Sequence, residues 1–250
     1  MRLPDFLVIG TQKGGTTTLH QLLEKHPNLY LPTQKEIHFF SLHDGYGLDW
    51  YGRHYRDAAA QQLCGDVTPY YLFHPRAPLK IHTVLPQAKL IALLRDPVER
   101  ALSQFFHARR HGFEPLELEA AIAAEQERLA DAQRALETPG SQHYSHQKHS
   151  YMSRSRYEQQ LNHYAKLFPA KQLLVCRSED LFTDTTACLD RITAFLGIKA
   201  IHPDLNASIR ANAGAGEAAA VPDRIRQQLR AELAPTVAAI RSRYGFNWGW

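Results

Sequence analysis

Between the apolar run Phe6-Leu7-Val8-Ile9 and a leucine-patterned stretch lies the segment Gly10-Thr11-Gln12-Lys13-Gly14-Gly15-Thr16-Thr17-Thr18-Leu19. These residue types in this order suit the capture of a phosphate-like anion. Where a strand turns into a helix, backbone N–H groups and the positive end of the helix dipole converge on negative charge. Gly14 and Gly15 let the backbone close on such a group without a Cβ in the way. Thr16, Thr17 and Thr18 offer hydroxyl donors at the helix start, and Lys13 supplies a cation. The bland alternative is a Gly/Thr-rich turn that holds nothing. The segment approaches the Walker A pattern G-x-x-x-x-G-K-[ST], but Thr16 stands where the lysine belongs, and the lysine has moved into the loop as Lys13. A magnesium-dependent NTPase also needs an acid after an apolar strand. The clearest strand-like run here, Lys89-Leu90-Ile91-Ala92-Leu93-Leu94, leads into Arg95 instead. Both departures count against a P-loop kinase or NTPase using ATP and Mg²⁺, which stands as the alternative reading.

Such a loop needs a sheet to present it. Short apolar runs at 6–9, 29–31, 89–94 and 172–176, with Cys64-Gly65-Asp66-Val67 as a strand end, read as buried parallel strands. Helical patterns over 16–25, 77–85, 97–107, 157–167 and 185–196 alternate with them, the last closed by Gly197. Pro97 belongs in the first turn of its helix. Residues 112–133 are Glu/Ala-rich and read as helix, 138–150 as a polar loop, 206–220 as a small, polar, mobile or ligand-ordered stretch, and 222–244 as a final helix with a break near Pro235. The expectation is an α/β fold: a single domain over residues 1–250, with a central parallel sheet flanked by helices and a P-loop-like phosphate loop after the first strand.

At this point four segments, in order, resemble the PAPS-dependent sulfotransferases, particularly the branch of the heparan sulfate sulfotransferases and their bacterial relatives. Gly10–Leu19 is similar to that family's 5′-phosphosulfate loop, Lys35-Glu36-Ile37-His38-Phe39-Phe40 to its K-E-x-H-F-F segment, and Gly65-Asp66-Val67-Thr68-Pro69-Tyr70-Tyr71 to its T/S-P-x-Y segment. Leu94-Arg95-Asp96-Pro97-Val98-Glu99-Arg100-Ala101-Leu102-Ser103 is similar to its 3′-phosphate segment, and Leu174–Leu181 is a weaker fifth match.

The resemblance implies transfer of a sulfuryl group from 3′-phosphoadenosine 5′-phosphosulfate (PAPS) to an acceptor hydroxyl or amine, in line and without a metal. It implies that Lys13 contacts the bridging oxygen, where a fixed cation favours the transition state. Gly14, Gly15, Thr16, Thr17 and Thr18 would hold the 5′ end, while Arg95 and Ser103, about two helical turns apart, would hold the 3′-phosphate. Alternatively Arg95 pairs with Asp96 or Glu99. Glu36 is the implied general base; burial among Ile37, Phe39 and Phe40 would raise its pKa, and Lys35 or Lys13 would lower it. His38 is either a relay or a structural histidine. There are departures: Ser41 stands where the heparan enzymes place an acid, Val67 where they carry a base, and their late Lys-Gly-Arg loop is not evident, with Arg210 as the candidate to replace part of it.

Bulk properties agree. The chain has 250 residues, 22% of them charged, and a formal net charge of +4, too mild to imply nucleic-acid binding although compatible with a local anion site. Three cysteines without a CxxC spacing read as buried free thiols. No run approaches the ~20 apolar residues of a membrane span, so the expected setting is cytoplasmic. The expected partner is a small-molecule or carbohydrate acceptor, which the sequence does not specify. The basic cluster Arg109-Arg110-His111, with His143, His146, Lys148, His149, Arg154 and Arg156, is either part of an acceptor cleft or a solvated face. Tyr157 reads either as a residue packing by the adenosine or as a core tyrosine, the latter favoured.

Overall fold

Strands buried on both faces must be apolar without interruption, and Phe6, Leu7, Val8 and Ile9 are each fully buried, as are Leu90 to Leu94. The computed structural model describes residues 1–200 and 216–250; Arg210 lies outside the described residues. In chain order the elements are β1 (Phe6–Gly10), α1 (Thr16–Leu23), β2 (Leu29–Tyr30), α2 (Gly47–Arg53), β3 (Leu63–Val67), α3 (Ala77–Val84) and β4 (Lys89–Leu94). There follow α4 (Pro97–Arg110), α5 (Leu118–Arg128), α6 (Ala132–Ala135), α7 (Tyr144–Lys148), α8 (Tyr157–Ala165), β5 (Leu173–Arg177), α9 (Ser178–Thr183), α10 (Thr185–Leu196) and α11 (Asp223–Tyr244). The architecture is α/β, a central five-stranded parallel sheet flanked by helices, as expected. The described residues pack as two compact units: Met1–Leu94 with the chain from His163 to residue 200, and Arg95–Asn162 with residues 216–250.

The first unit holds the whole sheet, in the order β2-β3-β1-β4-β5. All pairs are parallel, with Val8 opposite Val67 and Ile91, and Leu94 opposite Arg177. Leu19, Leu22 and Leu23 of α1 and Leu189, Ile192 and Leu196 of α10 join Phe6, Val8, Ile91 and Leu93 in one apolar cluster. From β1 the chain runs to β2, on one side of the sheet, and from β4 to β5, on the other. The topological switch point therefore falls at the carboxyl ends of β1 and β4, where open α/β sheets bind ligands.

The second unit is helical. Val98, Leu102 and Phe105 of α4 pack with Ile225, Leu229 and Leu233 of α11 and with Tyr151 and Met152. Within it Arg100 is fully buried. Its guanidinium donates to Ser155 Oγ and Gln104 Oε1, each at 2.6 Å, and to the Tyr151 carbonyl. Burial pulls its pKa down to about 10, still well above neutrality. From α5, the Glu125 carboxylate accepts the backbone N–H groups of Tyr151, Met152 and Ser153 at 2.7–2.9 Å. A cation and an anion thus clamp one turn from two sides.

Three boundaries differ from expectation. The helix expected over 112–133 begins only at Leu118, after Gly112 leaves α4 with φ +70°, and is divided into α5 and α6. The polar stretch 138–150 contains α7, because the His143 ring accepts the His146 N–H at 3.1 Å and caps it. Pro235 does not break α11: it sits on the exposed face, while Leu229, Leu233, Val237 and Ile240 keep the buried stripe continuous.

Arg100→Ala would leave the buried Gln104 amide oxygen without its donor and the Tyr151 carbonyl with only the more distant Ser155 hydroxyl, at 3.3 Å. At about 1–3 kcal/mol for a buried group left unsatisfied, the expected destabilisation is about 3 kcal/mol, seen as a lower urea midpoint at unchanged slope. A midpoint equal to the wild type's would show that this network does not hold the second unit together.

Candidate active site

The loop after β1 is fixed from two directions. Thr11 N–H donates to the Leu93 carbonyl of β4 at 2.9 Å, and Gly14 N–H to the Thr11 carbonyl at 3.0 Å. The Ser178 hydroxyl, at the start of α9, donates to the Gly14 carbonyl at 2.7 Å. A Cβ on Gly14 would lie 2.7 Å from the Leu93 carbonyl oxygen, so no larger residue fits there without a shift. Gly15 takes φ +90° at the N-cap of α1, and α1 opens with no side-chain cap and no acid in its first turn. Amide donors gathered at an uncapped helix start are what an anion completes. The threonines divide: Thr16 and Thr18 are buried and Thr17 is half-buried.

The second segment is anchored to the neighbouring strand. Glu36 N–H donates to the Val67 carbonyl, at the end of β3, at 3.2 Å. His38 N–H lies 3.5 Å from Thr68 Oγ1. Behind it the Phe39 ring stacks on Tyr51 of α2 at 4.2 Å, and Phe40 meets Tyr71 edge-on at 5.5 Å. Both tyrosines donate their hydroxyls to the fully buried Asp66, at 2.8 and 2.9 Å, and Thr68 adds a third bond at 2.6 Å. Burial pushes the Asp66 pKa up against these three bonds. Its carboxyl is a structural knot that fixes the aromatic floor under Lys35–Phe40.

Lys13, Glu36 and His38, with φ of +68°, +62° and +58°, are the non-glycine residues with left-handed backbone among the described residues. Each such conformation costs of order 1–3 kcal/mol and persists where the surroundings impose it, commonly at functional sites. Lys13 lies in the loop after β1, while Glu36 and His38, which follow β2 in the chain, are brought to the carboxyl end of β3 by the bond from Glu36 N–H to the Val67 carbonyl; β1 and β3 pair directly.

The side chains around Glu36 settle what its sequence neighbours left open. Lys35 Nζ lies 2.6 Å from Oε1 and His38 Nε2 3.5 Å from Oε2. Burial pushes the carboxyl up, but the His38 contact and the Lys35 ammonium together outweigh it and hold the pKa at about 2. The His38 ring is oriented by Ser41, whose Oγ lies 3.1 Å from Nδ1.

Arg95 and Ser103 belong to the second unit. Asp96 Oδ1 caps α4 by accepting from Val98 and Glu99 N–H at 2.9 and 3.0 Å. Glu99 pairs with Arg226. Arg95 and Ser103 are both half-buried, and the Arg95 carbonyl accepts the hydroxyl of Tyr157 at 2.9 Å, a fully buried core tyrosine as expected. In the basic stretch, His146, His149 and Arg154 are buried. Arg154 donates to the His146 and Gln147 carbonyls, so these three residues are not a solvated face, whereas Arg110 and His111 are exposed. Sequence reasoning missed Ser178, although the weak fifth segment contains it, and the role of Tyr51, which sits on a helix too short to show a period.

The sulfotransferase domain model matches residues 3–212. The chain is 31% identical over 212 residues to human heparan sulfate glucosamine 3-O-sulfotransferase 3B1, covering 81% of this chain and 48% of that protein. It is 43% identical over 122 residues to the membrane-associated sulfotransferase kil1 of Dictyostelium discoideum, covering 46% of this chain and 26% of that protein. It thus spans less than half the length of either relative. A solved sulfotransferase from Alicyclobacillus acidocaldarius superposes with a TM-score of 0.81 at 25% identity, over 99% of this chain and 98% of that one. Strand–loop–helix geometry, segment order and these likenesses agree, and the chain belongs to the sulfotransferase domain family.

Proposed function

We propose that this chain transfers a sulfuryl group from PAPS to a hydroxyl or amine of a small-molecule or carbohydrate acceptor, with residues 1–250 forming one sulfotransferase domain. The observation that carries the reading is the placement of the strained residues Lys13, Glu36 and His38 just beyond the carboxyl ends of two paired strands. The donor supplies an activated sulfuryl group on a phosphate leaving group. The loop from Gly14 to Thr18 binds its 5′ end through backbone amides and hydroxyls, and the uncapped start of α1 fits that anion. Lys13 neutralises the charge that grows on the bridging oxygen as the bond to sulfur breaks. Glu36 takes the acceptor's proton, while His38 holds the far carboxylate oxygen. Arg95 and Ser103 hold the 3′-phosphate, which distinguishes this donor from ATP. A carbohydrate acceptor is favoured by the glucosamine named for the human relative. Among the described residues no helix is long and apolar enough to cross a membrane, and three free, buried thiols fit a reducing, cytoplasmic setting.

Calorimetry should show binding of 3′,5′-ADP in preference to ATP–Mg²⁺; the reverse preference would return the chain to the P-loop kinases. Lys13→Ala is expected to lower kcat about 100-fold with KM for PAPS little changed, and unchanged turnover in the folded variant removes its catalytic role. Arg95→Ala should weaken 3′,5′-ADP binding by about 1.5–3 kcal/mol, the range for a hydrogen bond to a charged group. Glu36→Gln should cut transfer to an alcohol by about 100-fold or more. Acceptors are found by a mass-spectrometric screen for the gain of SO₃ in the presence of PAPS.

A further inference from the structure

A carboxylate with a pKa of about 2 is a poor proton acceptor at neutral pH, and Glu36 owes that value to its own segment. Both of its oxygens are engaged, Oε1 by Lys35 at 2.6 Å and Oε2 by His38 at 3.5 Å. The Val67 carbonyl at the end of β3 holds the Glu36 amide, and the side chains from β3 and the turn beyond it reach His38 rather than the carboxylate. Thr68 Oγ1 meets the His38 amide, the Tyr70 ring meets the His38 ring edge-on at 5.9 Å, and the buried Asp66 interacts with His38 through space. Glu36 becomes a stronger proton acceptor when it releases one of its two partners.

The two partners differ in freedom. His38 is held at three points: its left-handed backbone, its amide near Thr68 and its Nδ1 beside Ser41 Oγ. Glu36 is equally constrained, with φ +62° and its amide on the Val67 carbonyl. Lys35 carries a compact charge on a flexible four-carbon stem with three donors, so it is the member of the trio that can leave. An arriving sulfonate, with three acceptor oxygens and negative charge, competes with the carboxylate for that ammonium.

We propose that Lys35 is the positioning residue of the base, holding Glu36 in the free protein and passing to the sulfonate oxygens of the bound donor, so that the carboxylate becomes a competent base only when there is a group to transfer. This rests on the reading of Glu36 as general base. In the step it prepares, the acceptor oxygen bonds to sulfur and the bond from sulfur to the phosphate oxygen breaks. That bond's electron pair stays on the phosphate of 3′,5′-ADP, and the acceptor proton goes to Glu36 Oε1. The sign follows from the contacts. Removing the ammonium takes away attraction for the charged form while burial still disfavours it, so the Glu36 pKa rises from about 2, with the His38 contact left as the group that holds it down.

The test is a ¹³C-carboxyl NMR titration of Glu36 in the wild type, Lys35→Met and Lys35→Arg. Each protein is measured free, with 3′,5′-ADP and with PAPS. The free wild type should stay ionised to the acid limit of folding, Lys35→Met should titrate at a clearly higher pH than the wild type, and Lys35→Arg should resemble the wild type. In the wild type PAPS should raise the midpoint more than 3′,5′-ADP does, because only PAPS carries the sulfonate, and this difference should shrink in Lys35→Met. Equal midpoints in wild type and Lys35→Met, or equal effects of the two nucleotides on the wild type, would overturn the proposal. The wild-type arm stands even where a variant fails to fold. Full activity of Glu36→Gln would remove the base assignment but leave the titration to report on Lys35; an inactive Glu36→Gln with a Lys35-independent titration sinks the latch alone.

Discussion

The carbonyls at the carboxyl end of the sheet are held by loop amides: Leu93 by Thr11 at 2.9 Å, Ile9 by Leu72 at 2.7 Å and Val67 by Glu36 at 3.2 Å. Where a parallel strand ends, its last backbone groups lose their ladder partners and must bond elsewhere. Here two of them bond to the segments that carry Lys13 and Glu36, and the third to the turn after β3. The same bonds that close the sheet therefore fix the backbone of both candidate catalytic residues, and they leave little freedom to relax the left-handed conformations found there. Rigid elements hold a site more precisely than loops do. These loops borrow rigidity from the sheet, and Ser178 adds a further tie to the phosphate loop from α9.

Two carboxylates within the first unit show how environment divides roles. Asp66 is fully buried and accepts three hydroxyl bonds, none of them from a cation, and burial moves its pKa upward. Glu36, half-buried beside Lys35 and His38, moves the other way. Distance and partner type decide this, since both lie in segments rich in aromatic residues. Asp66 organises Tyr51, Tyr71 and Thr68; those organise Phe39, Phe40 and the His38 amide; and the strained segment lies on top of them.

The second unit places its own candidate residues by a different device. Arg95 precedes α4 and Ser103 lies within it, and the direction of that helix is set by the Asp96 cap and Pro97. That helix is tied to the turn at 151–155 by the buried Arg100, and the same turn is tied to α5 by Glu125. Charged groups so deeply buried are tolerated only with full hydrogen bonding, which also makes the turn hard to deform.

Strand positions were legible from the chain alone because strands covered on both faces need unbroken apolar runs, and β4 and α10 match their expected limits. The phosphate loop was legible because its glycines answer a local steric demand, and the order of four short segments carried the family. Short elements such as α2, α7 and α9 were not legible: one or two turns show no period, and α7 depends on a cap supplied by a histidine side chain. Nor could the sequence weigh burial against charge at Glu36, since that balance is set by Lys35 curling back to 2.6 Å and by His38 being turned toward the carboxylate. Residue types and order thus determined the sheet, the loop and the family. Only the tertiary structure decided which groups press on the carboxylates, because Coulomb and desolvation energies depend on distances and burial that no linear spacing encodes.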